Sequence, residues 1–245
     1  MRIAAVVTAA GSGSRLGAEF PKALVPLAGR ELVVWAVLRI ADACDEVVVT
    51  APTSHLAEFE DALRGLPALD GKRIRVISGG AERQQSVSAA LDVLFAEGQP
   101  APDVVLVHDA ARGFQDPSVT RAAIAAVQDG ADGAIPVVPV VDTLVESPSC
   151  AGTLGQSVDR DQLRAVQTPQ VFAGAALRAA HLAHADASAT DDAQLVRASG
   201  GRVVAVAGHE WGFKVTLPSD LPLAEHVAQV LLSAESQNAL ERQAP

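Results

Sequence analysis

An α/β fold with a mainly parallel sheet flanked by helices is predicted by three observations. Short Val- and Ile-rich runs recur along the chain, segments of helical spacing separate them, and the first run opens onto a glycine-rich loop. A parallel strand is buried on both faces and so reads as continuously apolar, and a helix must carry the chain back before the next strand can pair with it. The expected outline is Rossmann-like.

Strands are expected at residues 3 to 8, 46 to 50, 73 to 78, 103 to 107, 133 to 138 and 202 to 207. Leu56, Phe59 and Leu63 share one helical face, as do Val87, Leu91 and Leu94. Asp116 and Pro117 supply an N-cap and a first-turn proline ahead of Ile124 and Val127. Residues 139 to 168 break this rhythm. Pro139, Pro148 and Gly152 flank two polar, β-prone runs, Asp142 to Glu146 and Thr153 to Val158, which predict a β-hairpin arm projecting from the sheet. Phe213 to Val215 reads as a further short strand. Polar residues from Ser233 onward predict a closing helix that frays into a flexible tail over 234 to 245, within a single domain spanning 1 to 245.

At 245 residues the chain can bury a full core. A formal charge of -10 and a sequence pI near 5.0 argue against a general nucleic-acid binder, which would neutralise phosphates with a broad basic surface. Any anionic ligand must be met by a local cluster of cations. The two cysteines, Cys44 and Cys150, form no CxxC pair, and the histidines lack ligand spacing, so neither structural zinc nor a disulfide scaffold is expected. The N-terminus has no basic region ahead of an apolar run, and no apolar stretch approaches the roughly 20 residues of a membrane span, so a cytoplasmic soluble protein is expected.

The chemistry-bearing stretch is the loop after the first strand, Ala9-Ala10-Gly11-Ser12-Gly13-Ser14-Arg15-Leu16-Gly17, followed by Pro21-Lys22. A dinucleotide loop would read GxGxxG with an acid ending the second strand; here the third glycine comes one place late and the second strand ends Thr50-Ala51. The GxxxxGK[ST] phosphate loop is absent too. Glycines let backbone N–H groups close on an anion, and Arg15 and Lys22 add the charge a polyphosphate needs, so a triphosphate site is the functional reading. A solvated surface turn is the plain one. Asp109 stands just past an apolar strand and after His108, where a site residue at a parallel strand's carboxyl end belongs; capping a turn is its alternative role.

The loop with Pro21-Lys22 looks like that of sugar-phosphate nucleotidylyltransferases, and four further segments narrow the match. They are Gly79-Gly80-Ala81-Glu82-Arg83-Gln84-Gln85-Ser86-Val87, then Val107-His108-Asp109-Ala110-Ala111-Arg112, then Arg160 with Thr168-Pro169-Gln170-Val171-Phe172, and Thr190-Asp191-Asp192 with Lys214-Val215-Thr216. In this order and spacing, from residue 3 to about 220, the set resembles the 2-C-methyl-D-erythritol 4-phosphate cytidylyltransferase family of non-mevalonate isoprenoid biosynthesis.

The resemblance implies transfer of a cytidylyl group from CTP to methylerythritol phosphate with release of pyrophosphate. It implies that Arg15 and Lys22 stabilise charge on the five-coordinate α-phosphorus, and that the backbone of Ala9, Ala10, Gly11, Ser12 and Gly13 cradles the phosphates. Gly80, Arg83 and Ser86 would serve the nucleotide, with Ser86 reading the cytosine edge. Asp109 would hold Mg²⁺ or another divalent cation and, with Arg112, Thr143, Thr168 and Thr190, lie on the substrate side. Arg160 and Lys214 would bind and orient methylerythritol phosphate, and the arm would cross a homodimer to bring Arg160 to the neighbour's site. Two positions depart from the family pattern: Gly113-Phe114, where Pro or another shape is common, and Val141, where Lys is frequent. Three rivals stand beside this reading. A cytidylyltransferase of the same fold acting on ribitol 5-phosphate would differ only in the polyol pocket, a silent nucleotide sensor would not need Arg15, Lys22, Asp109, Arg160 and Lys214 together, and an NAD-dependent oxidoreductase would need different glycine spacing.

Overall fold

The computed structural model describes residues 1–11, 20–146, 153–185, 189 and 191–243, the last six of these as backbone. Strand β1 (Ile3–Thr8) lies inside the sheet, as its side chains require: Ala4 and Val6 face one side, Ala5 and Val7 the other, and all four are fully buried. A short hairpin follows, β2 (Pro26–Leu27) and β3 (Arg30–Glu31), then α1 (Leu32–Ala41), β4 (Glu46–Ala51), α2 (Leu56–Leu63), β5 (Arg73–Ser78), α3 (Arg83–Leu94), β6 (Val104–Asp109), α4 (Pro117–Gln128) and β7 (Gly133–Pro139). The chain continues through β8 (Leu144–Val145), β9 (Ser157–Val158), β10 (Arg164–Val166), β11 (Gln170–Ala173), α5 (Gly174–Ala183), α6 (Asp192–Ala198), β12 (Val203–Ala207) and α7 (Leu221–Gln243).

Strands β5, β4, β1 and β6 pair in that order, all parallel. On the far side of β6, β11 runs antiparallel to it and to the start of β7, β10 runs antiparallel to the end of β7, and β12 is parallel to β7. The mainly parallel sheet is therefore as expected, with an antiparallel insertion. The core forms on both faces. Ala5 and Val7 pack with Val33 and Val37 of α1, Phe59 of α2 and Ile124 of α4, while Ala4 and Val6 pack with Val87 and Leu91 of α3, Leu177 of α5 and Val196 of α6. Because β4 pairs with one edge of β1 and β6 with the other, the chain reverses direction across the sheet at β1. In open α/β sheets that switch point opens a crevice beyond the strands' carboxyl ends.

Five features differ from expectation. Strand β6 runs one to two residues later than expected and so reaches Asp109 itself. Strands β10 and β11 were not anticipated, because Gln167-Thr168-Pro169 interrupts their apolar pattern and Pro169 has no N–H to continue a ladder. The segment 213–215 forms no ladder; a backbone bond from Val215 N–H to the Ala111 carbonyl, 2.8 Å, docks it. Helix α7 runs through the expected tail as far as Gln243, with Arg30 paired to Glu235 at 2.9 Å. The β2–β3 hairpin was also unforeseen. The arm forms the expected antiparallel pair, Leu144 opposite Val158 and Val145 opposite Ser157. The Gly113-Phe114 departure has a packing reason: a Cβ at Gly113 would stand 2.8 Å from Leu32 Cδ1, and Phe114 is fully buried against Trp35 and Phe213.

Candidate active site

The crevice at the switch point is a cleft of about 280 Å³. Its floor is made by strand ends: Thr8 closes β1, and Asp109 closes β6 in register with it. Beyond these ends, the Ala9 N–H donates to the Thr50 carbonyl at 2.8 Å and the Gly79 N–H to the Ala51 carbonyl at 2.9 Å, so the first and second glycine loops leave the sheet side by side. Gly79 has to be glycine here, since a Cβ would fall 2.4 Å from the Ala10 Cβ and 2.8 Å from Ser86 Oγ.

The second loop is held by the helix it introduces. Glu82 caps α3 by accepting from the Gln85 N–H, and Gln85 Oε1 accepts from the Glu82 N–H in return. Ser86, buried one turn later, accepts from the Gly80 N–H at 3.1 Å and donates to the Glu82 carbonyl at 3.2 Å. This local wrapping shapes the loop wall at Gly80 and Ser86.

Asp109 is the electrostatic centre. Its Oδ2 accepts from Lys214 Nζ at 2.8 Å, and its Oδ1 accepts from Arg83 Nε at 3.2 Å and from Thr8 Oγ1 at 3.3 Å. Burial alone would push its carboxyl up, but Arg83 and then Lys214 outweigh that and hold it well below the usual carboxylate range. Burial likewise works against the charge on Arg83, yet Asp192 and Asp109 keep its guanidinium protonated above the ordinary value. Lys22 reaches across from the end of the first loop to donate to the Val215 carbonyl at 2.8 Å, one residue from Lys214. Among the described residues, four segments distant in sequence thus bring Lys22, Arg83 and Lys214 together around the ionised carboxylate of Asp109.

Of the expected site residues, Ala9, Ala10, Gly11, Lys22, Gly80, Arg83, Ser86, Asp109 and Lys214 line this cleft. Ser12, Gly13, Arg15 and Thr190 lie outside the described residues. Thr168 sits behind the cleft, buried, with its Oγ1 accepting from the Asp109 N–H at 3.0 Å and 2.8 Å from His108 Nδ1. Arg112 is not in the lining: it donates to the Gly212 carbonyl at 2.7 Å and the Val166 carbonyl at 3.0 Å, tying the Lys214 segment to the strand before Thr168. Thr143 and Arg160 are exposed on and beside the arm and do not line the cleft of their own chain; Arg160 donates to the Val141 carbonyl.

Among the described residues, Ala23, Ala81, Glu82, Ala110 and Ala111 line the cleft without having been assigned a role, and three polar or charged residues were missed as well. Thr8 and Thr216 also line the cleft, and Asp192, fully buried, pairs with Arg83 Nη1 at 2.7 Å. Asp192 lay in the quoted Thr190-Asp191-Asp192 segment, but only topology could bring it against α3.

The model of the family described as IspD: 2-C-methyl-D-erythritol 4-phosphate cytidylyltransferase matches residues 3–229. A 2-C-methyl-D-erythritol 4-phosphate cytidylyltransferase of Saccharopolyspora erythraea is 46% identical over 232 residues, 93% of this chain and 99% of that one. Another, of Streptomyces avermitilis, is 44% identical over 92% of this chain and 91% of its own. The crystal structure of the 2-C-methyl-D-erythritol 4-phosphate cytidylyltransferase from Thermus thermophilus superposes with a TM-score of 0.74 at 35% identity, covering 94% of this chain and all of that one. A match over this span, with the loop, strand-end and lysine segments in place, shows that the chain belongs to the 2-C-methyl-D-erythritol 4-phosphate cytidylyltransferase family.

Proposed function

We propose that this cleft binds CTP and that the chain transfers its cytidylyl group to the phosphate of 2-C-methyl-D-erythritol 4-phosphate. An oxygen of that phosphate attacks the α-phosphorus of CTP, the bond to the bridging oxygen breaks, and pyrophosphate leaves with 4-diphosphocytidyl-2-C-methyl-D-erythritol as the other product. Both reactants are anions, so the work is positioning and charge neutralisation, and an already ionised phosphate needs no general base. The observation that carries this reading is the convergence of Lys22, Lys214 and Arg83 on one cleft around Asp109.

In this reading Lys22, with Arg15, meets the charge that builds on the α-phosphate and the departing pyrophosphate, and the backbone from Ala9 to Gly13 cradles the triphosphate. Gly80 and Ser86 form the wall against the cytosine edge. Lys214 orients the attacking phosphate. For a divalent cation the candidate ligand among the described lining residues is Asp109, an ionised carboxylate whose oxygens accept from Lys214, Arg83 and Thr8, whereas the carboxylate of Glu82 accepts from the Gln85 N–H. Mg²⁺ takes one or two carboxylates and completes its shell with phosphate oxygens and water, so Asp109 would hold it. When bound, the ion neutralises triphosphate charge.

The substrate side is completed by a second copy of the chain. The arm carries Val141 and Leu154 at 79% and 82% exposure, apolar surface that a homodimer would cover, and the same arm would present Thr143 and Arg160 to the neighbour's cleft. Thr190, Thr168 and Arg112 shape that side. The formal charge of -10 argues against nucleic acid as a partner, the local cation cluster meets the small anionic substrates, and a cytoplasmic location goes with CTP as substrate. Among the described residues no helix is long and apolar enough to cross a membrane.

Pyrophosphate release with CTP and Mg²⁺, offering methylerythritol phosphate or ribitol 5-phosphate in turn, tests the reading. Release with the first and not the second is expected. Release with neither overturns it.

A further inference from the structure

Arg83 is shared between two buried carboxylates, and the sharing is uneven. Its Nη1 meets Asp192 Oδ2 at 2.7 Å, while its Nε meets Asp109 Oδ1 at 3.2 Å. Asp192 is itself fixed from a third element: its Oδ1 is 2.9 Å from His181 Nε2, and His181 Nδ1 is 2.9 Å from Ser88 Oγ. An ionised carboxylate only accepts, so His181 carries its proton on Nε2 and, when neutral, takes the Ser88 hydroxyl proton on Nδ1. Asp192 and His181 are each no more than 3% exposed, and neither lines the cleft.

We infer that Asp192 is a positioning residue for the nucleotide cleft, holding Arg83 so that the guanidinium touches Asp109 through Nε alone. A guanidinium with one carboxylate neighbour favours the two-bond fork that engages both oxygens. With its Nη1 edge drawn to Asp192, Arg83 leaves Asp109 Oδ2 to Lys214 and the cleft. The chain Ser88, His181, Asp192 and Arg83 therefore connects α3, α5 and α6 to the carboxylate at the end of β6. Burial works against ionising Asp192, but Arg83 and His181 keep its carboxyl below the usual range, consistent with a permanent anion in this role.

This inference rests on the assignment of Arg83 and Asp109 to the CTP site, and the experiment separates the two. Asp192→Asn, Arg83→Ala and the double variant are compared by kcat and KM for CTP, by calorimetric CTP binding and by thermal melting. Asp192→Asn should melt as a folded protein and lose about ten- to a hundredfold in kcat/KM, the range typical when a partner orienting a ligating group is removed. In the Arg83→Ala background it should cost nothing further, because coupled residues are not additive. Equal losses in both backgrounds, or wild-type kinetics for Asp192→Asn beside an impaired Arg83→Ala, overturn the positioning role. Wild-type kinetics and CTP binding for Arg83→Ala overturn the site assignment instead. If Asp192→Asn does not fold, Arg83→Lys takes its place: a lysine keeps the charge but cannot span two carboxylates, so it should reproduce the loss, and unchanged kinetics would overturn the inference.

Discussion

Lys22 and Lys214 enter the cleft from chain segments nearly two hundred residues apart, yet the Lys22 ammonium rests on the carbonyl of Val215, next to Lys214. A cation held this way is already in place when charge builds in the transition state, which is where a fixed charge acts most strongly. Lys22→Ala should therefore lower kcat by about a hundredfold or more, on the scale of about 2.7 to 4 kcal/mol for one lost oxyanion donor, with a smaller change in KM for CTP. Steady-state pyrophosphate release reads both quantities, and a near-normal kcat would remove Lys22 from the reaction. A second residue-level prediction concerns Cys44, buried in the core beneath β4. Burial pushes its thiol up to about 12, with Lys72 opposing and Asp45 adding. The unfolded thiol ionises near about 8.5 while the folded one stays protonated, so this group's contribution is complete below that pH and is lost as pH rises toward 12. The loss should approach about 1.4 kcal/mol per pH unit. Urea unfolding of wild type and Cys44→Ala at about pH 8 and about pH 10 measures it: the variant should have the lower baseline and the shallower alkaline decline.

At the scale of elements, the β2–β3 hairpin turns on two residues with positive φ, Ala28 at 48° and Gly29 at 79°. That is the primed turn matching the twist of paired strands, and it places an alanine where a Cβ is disfavoured by about 1 to 2 kcal/mol. Glu225 of α7 holds the turn by accepting from the Ala28 N–H at 2.8 Å. Ala28→Gly should raise stability by about 0.5 to 1 kcal/mol after glycine's entropic cost, read as a higher urea midpoint at unchanged slope. The same hairpin shows where the sequence was hard to read. Continuous apolar runs such as Val47 to Val49 and Val104 to Val107 announce buried parallel strands, and those strands lie where expected to within two residues. A two-residue strand has no periodicity to detect. Strands β10 and β11 were hidden for a different reason, since Pro169 divides a segment that serves β7 on one side of the break and β6 with β7 on the other. Asp109 at the end of β6 and Gly80 in a glycine loop could be picked out from their setting along the chain, whereas Thr8, at the end of β1, could not, because a threonine closing a strand is common and carries no charge. Asp192 and His181 were hidden too, because their roles depend on which helices pack together, and neither residue type announces a partner along the chain.

For the molecule as a whole, the cleft and the arm lie on different parts of one chain, and none of the arm's described residues lines its own cleft. A site completed by a second copy makes a quantitative prediction. Lys22→Ala and Arg160→Ala should each be nearly inactive as homodimers. Mixed and allowed to exchange subunits, half the dimers become mixed. In each of those, the core that keeps Lys22 receives the arm that keeps Arg160, so one of its two sites is intact, and the mixture should recover about a quarter of wild-type turnover. If Lys22 and Arg160 instead serve the same cleft of the same chain, every site in the mixture lacks one of them and nothing is recovered. Replacing exposed Leu154 with Glu should prevent recovery by placing a charge where apolar arm surface would be covered, and should shift the protein toward monomer in sedimentation. Recovery that survives Leu154→Glu with the dimer intact would place the interface elsewhere than the arm.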